Sequence, residues 1–230
     1  MSKRTEEVAK LVDKTKLYLI DEAIDILKQA KKTKFDETVE IHIRLGVNPK
    51  KSDQGVRGTI VLPHGVGKTR SVAVIAKGEK VKEAETSGAD FVGSNDLIEK
   101  ISKGWFGFDI LVATPDVMKE LSKLGKILGP KGLMPNPKAG TVTFDIAKAV
   151  KELKGGRIEF KIDDYAIIHA PAGKLSFEKE KIAENVKTLI EAVQKAKPAA
   201  FKGNYVVSIA LSSSMGPGIK LDTSQKFSTN

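Results

Sequence analysis

Residues 38–45 read TVEIHIRL, and the alternation is strict. Val39, Ile41, Ile43 and Leu45 point one way, and Thr38, Glu40, His42 and Arg44 the other. Successive strand side chains lie on opposite faces, so this is the pattern of a half-buried strand. The same period returns in RIEFKID, where Ile158, Phe160 and Ile162 share a face. Shorter strands are expected at residues 59–62, in AIIHA and in YVVSIALS. Helical spacing is read at residues 5–17, with Val8, Leu11 and Val12 on one face, and at residues 21–31, with Asp21 as N-cap. A long helix is expected over residues 178–196, stopped ahead of Pro198. From Pro217 onward the chain is polar and is expected to fray.

Between residues 71 and 154 the pattern changes. SVAVIA, DFVG and FDILVAT are short continuous apolar runs, and the polar-periodic segments GEKVKEAETSGA, NDLIEKISKG and PDVMKELSKLG alternate with them. Pro115 opens the last of these segments at a position that proline favours. A further helix, DIAKAVKELKGG, is capped by Asp145 and stopped by Gly155 and Gly156. Buried strands alternating with helices imply βαβ units and a parallel sheet covered on both faces. Half-buried strands outside and fully buried ones inside suggest an α/β chain of two domains, the second inserted into the first. A single continuous domain fits the same pattern. Insertion requires exposed, bendable crossings, and PHGVGK and KGGR have that composition, with Gly65, Gly67, Gly155 and Gly156 as the hinge positions.

The crossing LPHGVGKT also resembles the end of a phosphate-binding loop, and a nucleotide-binding enzyme using Gly67, Lys68 and Thr69 is the alternative reading. The full spacing needs a glycine where Leu62 stands. The loop must also open a helix, whose N-terminal N–H groups hold the phosphates, whereas RSVAVIAKG reads as a strand. No nucleophile elbow accompanies the serines. Asp163 and Asp164 read as a solvated turn rather than a catalytic pair.

Charge narrows the partner. Lys and Arg number 39 against 29 Asp and Glu, a net charge of +10, which favours a polyanion such as RNA. There is no cysteine, and the histidines are only His42, His64 and His169. A disulfide framework and a helical zinc site are therefore not expected. Neither a signal-peptide core nor a membrane-length apolar run is read, so the expectation is a soluble intracellular protein.

Three stretches carry candidate chemistry. GPKGLMPNPKAGTVT, residues 129–143, lies in a stretch with no acid from Lys123 to Thr143; its Lys131 and Lys138 and its exposed backbone donors suit approach to a phosphate backbone. A long connecting loop shaped by turn chemistry reads the same way. SSSMGPG, residues 212–218, offers hydroxyls, a close backbone approach at Gly216 and an apolar contact at Met215; on composition alone a flexible exit from a strand is the favoured account. KFDETVE, residues 34–40, sets Phe35 beside Lys31, Lys32 and Lys34, where it would either stack on a base or plug the core. The lysines would also suit the end of a helix.

Taken in order, RGTIVLPHGVGKT, AKGEK, GADFVG, FDILVATPDVM, LGPKGLMPNPKAGTVT, GRIEFKID, IHAPAGK and SSSMGPG resemble the bacterial form of the ribosomal protein one family, which builds the mobile lateral stalk of the large subunit. The resemblance spans about residues 8–221. It implies a discontinuous α+β domain, split β-α-β-like, from residues 1–66 plus 158–230. A Rossmann-like three-layer α/β domain, residues 67–157, would be inserted into it through a pair of hinge strands. It further implies a structural rather than enzymatic role: binding large-subunit rRNA near the tRNA exit site, with movement during translocation and release of deacylated tRNA. Bacterial members also bind their own operon mRNA and repress its translation. The implied partners are thus rRNA, exit-site tRNA, that mRNA and the ribosome in the cytoplasm. No membrane, no cofactor and no metal are implied, and the free chain would be a monomer. Carried to matching positions, the RNA-binding residues are Lys34, Phe35, Thr38, Glu40, Ser214, Met215 and Gly216, then His169 and Lys174. Lys131 and Lys138 would make a peripheral contact. The family's threonine in the last motif is Ser214 here, which keeps the hydroxyl.

Overall fold

The computed structural model describes residues 7–8, 10–30, 33–199 and 201–224. The chain divides into two compact units, one of Met1–Gly67 with Ile158–Asn230 and the other Lys68–Arg157.

The first unit begins with helix α1, Ile20–Gln29, and strand β1, Thr38–Leu45. The short strand β2, Arg57–Val61, leaves it. In the second unit follow β3 (Val72–Ile75), α2 (Glu79–Thr86), β4 (Phe91–Gly93), α3 (Asn95–Ser102) and β5 (Ile110–Ala113). Two short helices, α4 (Met118–Leu121) and α5 (Gly125–Leu128), lead on to α6, Ile146–Lys154. Strand β6, Arg157–Lys161, returns to the first unit, which closes with β7 (Ile167–Lys174), α7 (Lys179–Lys195), β8 (Val206–Ser213) and β9 (Ile219–Leu221).

The four-stranded sheet has the order β7-β1-β8-β9, and each of its pairings is antiparallel. Because β1 lies antiparallel between them, β7 and β8 run parallel, and α7 joins them as the crossover of a split β-α-β unit. The alternation read in β1 sorts its side chains as expected. Val39, Ile41, Ile43 and Leu45 enter a core with Ile24 and Leu27 of α1 and with Ile182, Val186, Leu189 and Ile190 of α7. Each such buried aliphatic side chain stabilises the fold by about 1.5–3 kcal/mol relative to its exposed state. Strands β2 and β6 form a separate two-stranded ribbon, where Gly58 admits the Phe160 ring: a Cβ there would lie 2.6 Å from it.

In the second unit β4, β3 and β5 form a parallel sheet. Alternate residues of β3 feed two cores. Ala73 and Ile75 join Leu97, Ile101 and Leu121 on one face, and Val72 and Val74 join Ile146, Val150 and Leu153 on the other. That is a three-layer α/β unit of the Rossmann-like kind, and the mixed α/β class read from the sequence holds.

Several boundaries differ from the sequence reading. The helix expected over residues 5–17 does not continue: past residue 11 the described chain is irregular. Asp13 Oδ1 accepts the Thr15 N–H at 2.9 Å and closes a local turn instead, and Tyr18 pairs with Leu221. Asp21 is not the N-cap of α1. Leu19 is, and Glu22 reaches back to accept its N–H at 3.3 Å. The segment after Pro217 does not fray at once, because Ile219 and Leu221 are buried and pair as β9 with Leu211 and Ile209. PDVMKELSKLG is not one regular helix: α4 lies between 3-10 turns at Pro115–Val117 and Ser122–Leu124, and α5 starts at its last residue, Gly125. Lys31 and Lys32 lie outside the described residues.

Candidate nucleic-acid interface

With one face of the four-stranded sheet committed to the core, the register fixes what the other presents. Thr38 stands opposite Lys174, Glu40 between Pro171 and Ser212, His42 between His169 and Ala210, and Arg44 between Ile167 and Ser208. These positions are exposed or half-exposed. At the Thr38 end the residues carried over from the sequence converge. The Ser214 N–H donates to the Thr38 carbonyl at 3.0 Å, and the Thr38 N–H donates to Ser214 Oγ at 3.1 Å. Lys174 Nζ donates to Thr38 Oγ1 at 3.0 Å and to the Asp36 carbonyl at 3.3 Å.

The residue that organises this corner is Glu37, which the sequence reading did not single out. Its side chain is buried, at 4% exposure. Its Oε2 accepts the Ser213 hydroxyl at 2.6 Å and the Met215 N–H at 3.0 Å, while its carbonyl accepts the Leu175 N–H at 2.8 Å. A buried carboxylate satisfied by a hydroxyl and an amide is a positioning device. The Gly216 N–H closes the turn on the Ser213 carbonyl at 3.0 Å. Glycine is demanded there by space: a Cβ would sit 2.3 Å from Ser213 Oγ, the same atom Glu37 holds. Backbone restraint throws the Met215 side chain outward, 58% exposed. The strand exit is therefore a built turn, not a flexible one. Its only advance sign was an acid set among the cations and hydroxyls of KFDETVE.

Phe35 is also outside the core, at 56% exposure, beside a small cavity of about 130 Å³ shared with Thr33, Asp36, Leu175 and Ser176. Lys34 is exposed next to it. Farther along the face, His169 Nδ1 and His42 Nδ1 are 2.8 Å apart, His42 Nε2 lies 2.9 Å from Ser212 Oγ, and His169 Nε2 lies 3.3 Å from Asp163 Oδ2. The close His–His contact requires one donor and one acceptor. Burial first, and His169 second, push the His42 pKa below the usual imidazole value. Asp163 is more than a solvated turn residue. Its Oδ1 accepts the N–H groups of Ile167 (2.7 Å) and Tyr165 (2.9 Å), and the Ile167 bond leads in holding its carboxyl below the ordinary range. Among the described residues, no group of three or more His, Asp or Glu side chains is placed to hold a metal.

Lys131 and Lys138 belong to the second unit and so are not brought to this face by that unit's own fold. Their loop is ordered: Asn136 and Thr141 exchange backbone and hydroxyl bonds at 2.8 and 3.2 Å, and Leu133 and Met134 pack on the core. Lys131 is exposed, its ammonium 4.4 Å from the Phe106 ring centre, and Gly132 takes a φ of +69° with open space around it. Lys138 lies in a 3-10 turn, Pro137–Ala139.

The phosphate-loop alternative meets the wrong geometry. No helix follows Thr69; the chain runs without regular structure to β3. Lys68 Nζ donates to Asp109 Oδ1 at 2.7 Å, and Asp109 Oδ2 also accepts the Ser71 N–H at 3.1 Å. The Lys68 bond leads in holding the Asp109 carboxyl below its usual range. A lysine so engaged is not poised over phosphates. Before it, Gly65 (φ +61°) and Gly67 (φ +71°) are seated in the first unit. Buried Asn185 donates to the Gly65 carbonyl at 2.9 Å and accepts the His64 N–H at 3.2 Å, and a Cβ on Gly67 would meet Lys174 Cγ at 2.5 Å. Gly155 caps α6, and Gly156 follows with φ +101°.

A basic chain of two α/β units, with an open sheet face that ends in a hydroxyl-rich turn and an exposed aromatic ring, has the make-up of a nucleic-acid-binding protein. The chain belongs to the ribosomal protein L1p/L10e family, whose pattern matches residues 27–217. It is accordingly a structural protein of the large ribosomal subunit that binds rRNA, in a family that is structural rather than enzymatic and works on the cytoplasmic ribosome. No helix among the described residues is long and apolar enough to cross a membrane.

Proposed function

We propose that this chain binds the rRNA of the lateral stalk, near the tRNA exit site, through the open sheet face and the turn at residues 213–216. Through that attachment it would assist translocation and release of deacylated tRNA. The observation that carries the reading is the Glu37 clamp, which fixes Ser214, Met215 and Gly216 beside Thr38 before any RNA arrives. Preorganisation lowers the ordering cost of binding. Met215 and Phe35 supply apolar and stacking contacts, the Ser214 hydroxyl bonds to phosphate or 2′-OH, and Lys34 adds attraction. Glu40, an acid on this face, serves by accepting hydrogen bonds from a 2′-OH or base amine. His169 lies farther along, and Lys174 acts mainly by holding Thr38 and Asp36. Lys131, Lys138 and the Gly132 backbone make a peripheral RNA contact from the inserted unit.

The same surface would take a similar RNA fold in the operon mRNA and repress its translation. The two crossings act as a hinge. Since Gly65 and Gly67 are fastened to the first unit, bending falls on residues 68–71 and around Gly155 and Gly156. Competition between a stalk rRNA fragment, the mRNA leader and an unrelated hairpin of equal length tests the binding reading. Preference for the first two, weakening linearly in log–log form with salt, is expected. Equal affinity for all three would refute it.

A further inference from the structure

The inserted unit carries a cleft of about 580 Å³ at its β4 edge, lined by none of the RNA-binding residues assigned above. Its volume is that of a small-ligand site, about 300–1,000 Å³. Two aromatic rings form its apolar wall. Phe91, on the edge strand, is 37% exposed and meets Trp105 edge-to-face, with ring centres 4.9 Å apart. Trp105 is held from behind by Phe108, centres 5.6 Å apart, and by the backbone at Gly107, where a Cβ would fall 2.8 Å from the indole. The indole is therefore a fixed surface.

The charges around the cleft are unequal in freedom. Asp90 is occupied: its Oδ2 accepts the Val72 N–H at 2.8 Å, and its Oδ1 pairs with Lys154 at 3.0 Å. Asp96 accepts the Ser94 N–H at 2.8 Å at the start of α3. Lys100 and Lys103, one turn apart at the end of that helix, are exposed at the cleft, and Lys100 is among the groups that hold the Asp96 carboxyl below its usual range. The site thus combines a rigid aromatic wall, two exposed cations and two carboxylates, Asp90 and Asp96, that already accept backbone N–H groups. Flat π-surfaces accept any base face, and the adjacent ammoniums match the phosphate that follows it.

We propose that this cleft binds an unpaired nucleotide of RNA, the base against Phe91 and Trp105 and its phosphate on Lys100 and Lys103. The proposal rests on RNA being the chain's partner and adds a second contact, independent of the Glu37-held turn. An extended peptide pairing along the β4 edge would leave both lysines without a role.

The chain has a single tryptophan, so indole emission reports on this cleft alone. The full-length protein is titrated with an end-labelled single-stranded oligoadenylate of about six nucleotides, following label anisotropy and Trp105 emission together. Saturable quenching that tracks binding is expected. Lys100→Ala/Lys103→Ala should weaken it about tenfold at low salt, and Phe91→Ala should reduce both quenching and affinity. Met215→Asp should leave the quenching intact, which separates this proposal from the reading of the first unit. Binding without a change in Trp105 emission would overturn it. So would equal quenching by heparin, which has charge but no bases, or loss of quenching in Met215→Asp.

Discussion

Replacing Glu37 by alanine removes the acceptor on which the turn proposed to contact RNA is built. Two donors lose their partner: the Ser213 hydroxyl, in a buried contact at 2.6 Å, and the Met215 N–H, at 3.0 Å in a part-buried one. A hydrogen bond to a charged group contributes about 1.5–3 kcal/mol, and an orphaned buried donor costs a similar amount. Met215 N–H is close enough to solvent to recover water, so the loss is nearer one bond than two, about 2–3 kcal/mol. If RNA requires the turn in its present form, that energy reappears as weaker binding, about 30- to 150-fold. Glu37→Gln keeps an oxygen in place and loses charge assistance, so a drop of only about threefold to tenfold is expected. Anisotropy titration of a stalk rRNA fragment measures both variants, with thermal melting to verify the fold. Undiminished affinity in a folded Glu37→Ala protein, or equal losses in the two variants, would refute the clamp.

Gly216→Ala should weaken the same RNA by about tenfold or more, because the added methyl collides with Ser213 Oγ and shifts the turn; unchanged binding by anisotropy would contradict this. Asn185→Ala leaves the Gly65 and Ala172 carbonyls and the His64 N–H without a partner. It should cost about 2–4 kcal/mol in a urea titration, with no effect on nucleic-acid specificity. Because the His42 pKa is lowered in the fold, the unfolded chain binds that proton more readily. Stability should therefore fall as pH drops below about 6.5, the unfolded value, toward the folded one. Melting curves from neutral to acid pH should show that component removed in His42→Gln.

What the sequence disclosed, and what it withheld, follow from the range of the interactions. Period-2 alternation named the buried face of β1 correctly, because burial on one face is a local constraint repeated along the strand. The continuous apolar runs of β3 and β5 revealed a sheet covered on both sides for the same reason. Asp145 capping α6 was legible, since the cap and the N–H that donates to it are neighbours in sequence; its Oδ1 accepts the Lys148 N–H at 3.3 Å. Glu37 was not, because its partners Ser213 and Met215 lie on β8 and the turn after it. Only the antiparallel register of β1 and β8 brings them to its side chain. The β9 pairing was missed similarly: a three-residue strand carries no period to read. For Lys174, charge alone does not show that an ammonium is tied to Thr38. Phe35 was ambiguous between core and surface until the fold put it outside.

The central claim is that Met215, held out by the Glu37 turn, sits in the rRNA contact. Met215→Asp, at a position already exposed, should leave melting unchanged. Set against the same stalk rRNA fragment, it should lower affinity by about 30-fold or more through repulsion and lost apolar contact, with little change toward an unrelated hairpin. Full affinity for the stalk fragment in a folded Met215→Asp protein would show that the RNA binds elsewhere.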